Sequence, residues 1–254
     1  MSKLPIYDVI GNEHARQRRA DSRIAAAIHV ALSESTSVLN VGAGAGSYEP
    51  ADRDVVALDP SSIMLAQHPR GAAPCVRARA EALPFANGSF DAVLGVLTLH
   101  HWTEPIGGLG ECARVARARI VLLTYDPSAG GYWLTRDYFP EITTVDRDTF
   151  PRLDEIALAF GPDVRVDCLP VPIPNDCVDG FLGAFWARPS AYLDERVRAG
   201  MSAFARCAAE AGLARLRNDL ADGTWSVRYG HLLCHATLDL GYRLIVAHLP
   251  NRRG

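Results

Sequence analysis

The sequence predicts an α/β protein: a doubly wound, mostly parallel sheet with helices on both faces and a helical cap inserted before its last strand. Three observations carry this. Short apolar runs alternate with amphipathic stretches through the first half of the chain, and such alternation lays strands side by side in a parallel sheet covered on both faces. A glycine-rich turn, G-A-G-A-G at 42–46, follows directly on the first apolar run. An acidic residue, Asp59, ends the second run, and sheets of this kind bind ligands just beyond the carboxyl ends of their strands.

The elements follow in order. Residues 12–32 read as an amphipathic helix, because Ile24, Ile28 and Leu32 recur at helical spacing while arginines fall on other faces. Residues 37–41 form a strand that runs into the glycines, and 55–58 a buried strand ending at Asp59. Ser61 or Ser62 then caps a short helix through residue 67. Residues 75–79 suit a third strand, Asn87-Gly88 a turn, and 90–97 a buried strand. A helix over 104–116 and a fifth strand over 120–124 complete the regular half. After Asp126 the pattern changes, with Pro127, Gly130 and Gly131 marking a loop. Residues 164–169 alternate as a strand, and 242–247 close the chain as an apolar one. Between them, 174–240 is rich in aromatics and helix formers. It is expected to be a substrate cap, leaving 1–173 and 241–254 as the core.

Composition narrows the class. At 254 residues the chain can bury one large core without staples. A formal net charge of -3 speaks against a nucleic-acid partner. The six cysteines include no C-x-x-C pair, which excludes a zinc ribbon or a thioredoxin-type motif. No apolar run suits a signal peptide or a membrane span, so a soluble cytoplasmic protein with no membrane partner is expected. Asp176, Cys177 and Asp179 cluster in sequence without a histidine at ligand spacing, so no metal is expected.

Spacing in the glycine turn bears on the ligand. The dinucleotide fingerprint G-x-G-x-x-G needs a glycine at 47, where the chain has Ser47. The pattern here is G-x-G-x-G, which suits an amino-acid tail in place of a pyrophosphate. Asp59 is placed to accept both hydroxyl protons of a ribose.

Four motifs then resemble one family: N-V-G-A-G-A-G, V-V-A-L-D-P-S-S-I-M-L, A-E-A-L-P-F-A-N-G-S-F-D-A-V, and L-T-L-H-H-W with E-C-A-R-V behind it. Spread over residues 38–126 in family order, they resemble the class I S-adenosylmethionine (SAM)-dependent methyltransferases. The likeness is to the methyltransferase type 11 group, which includes ubiquinone/menaquinone-biosynthesis-type enzymes. The resemblance implies a Rossmann-like seven-stranded sheet, SAM as cofactor and S-adenosylhomocysteine as product. By that resemblance Gly42, Ala43 and Gly44 line the methionine part, Asp59 holds the ribose, Ala80 and Glu81 flank the adenine, and Val96 passes near the methionyl group. Tyr7 and Arg18 match an aromatic and an arginine that close over the cofactor. Departures from the family pattern are Asn40 for an acidic residue, which weakens a contact to the cofactor's ammonium, Arg79 for an aspartate, His14 for a tyrosine, and A-R-A-R before strand five. Only twelve residues, 42–53, join the first two strands, so the usual first helix must shrink to a turn or so.

Methyl transfer is an in-line displacement that demands alignment, and a base when the nucleophile carries a proton. His100-His101 follows the fourth strand. On an extended segment successive side chains point opposite ways, so one histidine faces the site. His101 is the expected base and His100 a substrate neighbour. Asp126 lies at the same edge, and Trp186, Arg188 and Tyr229 of the insertion are the expected cap contacts. The expected function is methylation of O, N or C in a small molecule. The alternatives are a nicotinamide-dependent oxidoreductase, disfavoured by Ser47, and a non-catalytic SAM-binding protein. SAM and S-adenosylhomocysteine should raise the melting temperature by mass action, about 2.7 kcal/mol at a hundredfold excess over Kd. NAD and NADP should leave it unchanged in the same thermal-shift measurement, and stabilisation by NAD alone would reverse the assignment.

Overall fold

The computed structural model describes residues 17–69 and 71–250; the Tyr7 and His14 expectations lie outside the described residues. Seven strands make one sheet: β1 (Ser37–Val41), β2 (Asp54–Asp59), β3 (Cys75–Arg77), β4 (Phe90–Val96), β5 (Ala116–Tyr125), β6 (Arg165–Pro170) and β7 (Tyr242–His248). Their spatial order is β3-β2-β1-β4-β5-β7-β6. Neighbours from β3 to β5 pair in parallel, whereas β7 runs antiparallel to both β5 and β6. The register gives the reason. Tyr242, first in β7, pairs with Tyr125, last in β5, and Pro170, last in β6, pairs with Arg243. The chain therefore leaves β6 and re-enters β7 at the carboxyl edge, and a strand that starts there must run backwards. The segment between them is confined at both ends to that edge.

Alternate strand residues feed two cores, as the period of a strand requires. On one face Val38, Leu94, Val121 and Leu244 pack with Ile24, Ile28 and Leu32 of α1 (Ser22–Leu32). On the other, Leu39, Val93, Leu122 and Ile245 meet Leu109 and Cys112 of α3 (Pro105–Val115) and Ile156 of α5 (Leu153–Ala159). Between them in the chain, α2 (Ser62–Ala66) starts at Ser61, whose hydroxyl accepts from the Met64 amide, as the sequence predicts.

Two stretches differ from the sequence reading. The helix read over 12–32 is interrupted: residues 18–21 are non-helical, and α1 starts at Ser22 with Asp21 as its cap. Beyond the loop marked by Pro127, Gly130 and Gly131, where the sequence reading assigned no element, the chain folds into a π-helical turn (Leu134–Tyr138) and α4 (Pro140–Thr149). It packs with the insertion, which comprises 3-10 turns and α6 (Glu195–Ala199), α7 (Glu210–Ala221) and α8 (Thr224–Tyr229). Trp133 donates to the Trp186 carbonyl at 2.9 Å, and Tyr138 donates to Asp219 at 2.6 Å. Trp133, Trp186, Tyr192 and Trp225 belong to the same buried cluster as α1 and the sheet, so the covering layer is continuous with the core.

One buried ion pair fastens that layer. Asp179 has no exposed surface, and its carboxylate accepts from Arg18 Nε at 2.7 Å, Arg18 Nη2 at 3.1 Å, the Arg19 amide at 3.2 Å and the Tyr48 hydroxyl at 2.8 Å. Arg18 precedes α1, Tyr48 lies in the β1–β2 crossover, and Asp179 lies in the insertion. Beside it Asp21 caps α1, pairs with Arg23 and accepts the Val178 amide at 3.2 Å. Asp179→Asn leaves the Arg18 guanidinium buried against a neutral amide, a change that costs about 3–5 kcal/mol when a buried pair loses one partner. A urea titration should show a markedly lower midpoint, whereas an unchanged midpoint would remove the clasp from the fold's support.

Candidate functional site

A cavity of about 330 Å³ opens where β1, β2 and β4 end. The crossover after β1 contains turns and no helix, as its length predicts. Gly42 and Gly44 take positive φ of 72° and 55°, and the Gly42 and Ala43 amides both donate to the Leu58 carbonyl, locking the turn onto β2. Asp59, only 7% exposed, accepts the Gly44 amide on Oδ2 and the Ser61 amide on Oδ1. Its side chain therefore shapes the loop as well as the wall. Each carboxylate oxygen has two acceptor sites, so one amide bond does not saturate it.

Gly46 has a different job. It is absent from the cavity wall; with φ of 82°, a Cβ there would sit 2.6 Å from His68 Nε2. The missing side chain admits a pair in which His68 Nε2 lies 2.9 Å from Glu49 Oε2. Glu49 Oε1 in turn accepts from Asn40 Nδ2 at 3.0 Å. That bond turns Asn40 Oδ1 away from Glu49. The oxygen is buried without a partner among the described residues, on a side chain that lines the cavity.

The remaining expected cofactor residues lie on the same wall: Arg18, Ala80, Glu81 and Val96, with Arg79 beside them. Glu81 Oε1 also accepts the Thr103 and Glu104 amides at 2.7 and 3.1 Å, so it braces the turn beyond β4. Trp102 closes this end and donates to Thr98 Oγ1 at 3.1 Å.

The histidines depart from the extended geometry assumed from sequence. Leu99–His101 is a 3-10 turn, so successive side chains do not alternate across a plane, and both His100 and His101 line the first cavity. Only His100 also lines a second one, of about 70 Å³, which shares Arg18, Leu97, His100 and Arg206 with the first. The His100 ring stacks on Phe150 with centroids 4.3 Å apart and planes at 21°. Its Nδ1 is buried with no partner among the described residues. Burial, and then the charges of His101, Arg206 and Arg18, hold its pKa well below the ordinary imidazole value, so it is a neutral base at neutral pH. Leu97, at the joint, is held at a φ of 50°, a strained value for a leucine.

The second cavity is walled by Tyr125 of β5, Asp146 and Phe150 at the end of α4, Tyr242 of β7, and Phe181, Met201 and Arg206 of the insertion. The insertion thus does reach the site, but through other residues than those expected. Trp186 is fully buried and donates to the Ile173 and Pro174 carbonyls. Arg188 donates to the Cys177 and Ala184 carbonyls, the latter at 2.7 Å. Tyr229 donates to Asp137 at 2.7 Å. None of the three lines either cavity, because backbone carbonyls and the cap's own acids take their polar groups. Asp126 is also off both walls, capping a turn by accepting the Ser128 amide and hydroxyl.

Sequence reasoning passed over Arg206, Asp146, Phe150 and the two tyrosines. Tyr125 and Tyr242 had a signal, since one closes and the other opens an apolar run at the ligand edge. Asp146 and Phe150 had none, because their helix lies in a stretch punctuated as a loop. Among the described residues there is no cluster that could hold a metal ion, and no helix is long and apolar enough to cross a membrane.

A methyltransferase-domain family model matches residues 39–123. Among solved structures, the chain is similar to a proposed methyltransferase from an antibiotic biosynthesis pathway of Anabaena variabilis. The two are 34% identical, with a TM-score of 0.85 over 92% of this chain and 99% of that one. A possible histamine N-methyltransferase from Thermotoga maritima shares the fold at 22% identity and a TM-score of 0.53, over 66% and 84% of the two chains. A phosphoethanolamine N-methyltransferase of Haemonchus contortus does so at 14% and 0.56, over 97% and 56%. No curated protein matches the chain.

The double role of Asp59 gives a test. Asp59→Ala should weaken S-adenosylhomocysteine binding by about 1–3 kcal/mol in calorimetric titration. It should also lower the melting temperature of the ligand-free protein, since two buried amides lose their acceptor. Unchanged affinity would remove the ribose role, and unchanged melting the loop-shaping one.

Proposed function

Since this chain belongs to the class I SAM-dependent methyltransferases, we propose that it methylates an oxygen of a small molecule seated in the second cavity, with His100 as the base. The observation that carries this is the joint: His100 is the one titratable imidazole on both walls among the described residues. The residues present fit the cofactor. Asn40, whose Oδ1 has no partner among the described residues, would meet the ammonium group, Asp59 the ribose hydroxyls and Val96 the methionyl part, all on the wall of the first cavity. When bound, the cofactor supplies an electrophilic methyl group on a sulfonium.

The chain's own residues do the rest. Leu97 and the Phe150 ring hold the acceptor against the joint and keep water out, which matters because alignment supplies most of the advantage in such a displacement. His100, neutral, takes the acceptor's hydroxyl proton as the oxygen becomes nucleophilic. The Arg206 guanidinium on the shared wall favours the developing oxyanion. An oxygen acid fits this set better than an amine, which when neutral needs no base. The covering layer, 174–240 with the stretch before β6, serves as the substrate cap. A small acceptor is in keeping with the small volume of the second cavity and with the antibiotic-pathway assignment of the Anabaena relative. We place the enzyme in the cytoplasm, where its unpaired thiols persist.

An acceptor can be found by following labelled methyl groups from SAM into a panel of hydroxylated small molecules. With one in hand, His100→Ala should leave S-adenosylhomocysteine affinity intact and cut single-turnover rate by roughly 10²–10⁴-fold, while His101→Ala should retain most of the rate. A lowered pKa keeps the basic form present as pH falls, so the wild-type acid limb should lie well below the unperturbed imidazole value of about 6.5. A full rate in His100→Ala, or the larger loss in His101→Ala, would move the base.

A further inference from the structure

We propose that the second cavity recognises a protonated amine on the acceptor's distal end, with Asp146 as its anchor; this rests on the reading that the cavity is the acceptor site. Asp146 lies on α4, one turn before Phe150, and lines the second cavity but not the first. It therefore lies off the cavity assigned to the methyl donor, and the group it holds is taken as distinct from the one methylated. The residue is 6% exposed. Among the described residues no hydrogen bond or ion pair reaches its carboxylate, although each of the other buried aspartates described here, Asp21, Asp59 and Asp179, accepts hydrogen bonds on both oxygens.

A buried carboxylate without donors is costly, and such groups occur paired or aimed at a ligand. Burial lifts its pKa to about 6, with the Arg206 charge working in the opposite direction. Arg206 itself is turned to the Ser202 carbonyl and hydroxyl at 3.3 and 3.2 Å, so its charge is felt but no bond is made. A ligand that brings both N–H donors and a positive charge would satisfy what the protein leaves unsatisfied.

The aromatic part of the wall suits a cation, set against the Arg18 and Arg206 charges on the same cavity. Tyr125, Tyr132, Phe150, Phe181 and Tyr242 surround the same space, and ring faces attract an ammonium once it is desolvated. Tyr125 and Phe150 meet edge-on, with centroids 5.6 Å apart, and Tyr242 tilts against Tyr125 at 5.5 Å. A neutral hydroxyl in place of the amine would meet the hydrogen-bond demand of Asp146 and not its charge, and a carboxylate would meet neither. The acceptor class is then a small, flat hydroxyl compound with an aminoalkyl arm.

Matched probes separate these cases: tyramine, para-ethylphenol and phloretic acid, which carry an amine, no charge and a carboxylate on the same phenol. Each is titrated calorimetrically into the full-length protein saturated with S-adenosylhomocysteine. Tyramine should bind about tenfold tighter than para-ethylphenol, with phloretic acid weakest, and Asp146→Asn should abolish that preference while keeping S-adenosylhomocysteine affinity. Equal binding of the three, tighter binding of either other probe, binding by none, or a preference that survives in Asp146→Asn overturns the proposal. Should the variant not fold, the wild-type ranking decides. The readout is binding, so it separates from the parent reading: an amine preference lost in Asp146→Asn with no methyl transferred to the phenol would sustain the anchor and sink the reaction assigned to the joint.

Discussion

The site depends on one buried charge pair, Arg18 with Asp179. Three segments distant in sequence meet there: the approach to α1, the helix-free crossover behind the glycine turn, and the insertion. Arg18 also forms part of both cavity walls. The position of the covering layer over the glycine loop is thus set by the same side chain that borders both cavities. Charge alone would make this a poor bargain, since taking two ions out of water costs several kcal/mol each. Multiple donors on Asp179, including the Tyr48 hydroxyl, offset that cost. Its neighbour Gly180 lets the chain close up, because a Cβ there would lie 2.1 Å from the Gln17 carbonyl oxygen. The pair specifies where three segments meet; apolar packing around Trp133, Trp186 and Trp225 supplies the adhesion.

The loss of the first crossover helix explains several features together. Without that helix, the face of β1 and β2 near the glycine turn needs other cover. Tyr48 fills part of the space at 4% exposure and hands its hydroxyl to the insertion. Glu49 fills another part, reaching Asn40 and His68. The third glycine of the motif belongs to this repair rather than to the ligand. An acidic residue absent from position 40 thereby reappears, in effect, one bond further back, with Asn40 as the side chain that meets the cavity.

Much of this was legible in the residues. Strand positions, the glycine turn, Asp59 and the short crossover follow from local chemistry: apolar period, positive-φ demand and chain length. The backward run of β7 was not, because it is set by where the insertion ends rather than by anything in Y-R-L-I-V-A. Trp186, Arg188 and Tyr229 were expected at the site on their chemistry, yet chemistry suited to a ligand is also suited to a core. Trp186 and Tyr229 donate within the covering layer, and so does one terminal nitrogen of Arg188. Asp146 shows the converse: nothing local marks it, and its interest arises only from being buried without donors, which is a property of the fold.

The two histidines show where a motif stops and an environment starts. Both sit on one 3-10 turn and both face the cofactor cavity, so sequence gives them equal standing. What separates them is the ring of Phe150, which draws His100 into the second cavity, and the burial that, with the charges of His101, Arg206 and Arg18, keeps it unprotonated. An imidazole hemmed in by His101, Arg206 and Arg18 has little tendency to acquire a proton from solvent. It takes one readily only from a group that becomes more acidic in the same place, next to Arg206. That couples proton removal to the presence of an acceptor at the joint, and it keeps the base in its reactive form while the first cavity holds a cation. Catalysis favours interactions that grow toward the transition state, and a neutral histidine that shares both cavity walls with two guanidiniums gains most when negative charge develops beside it.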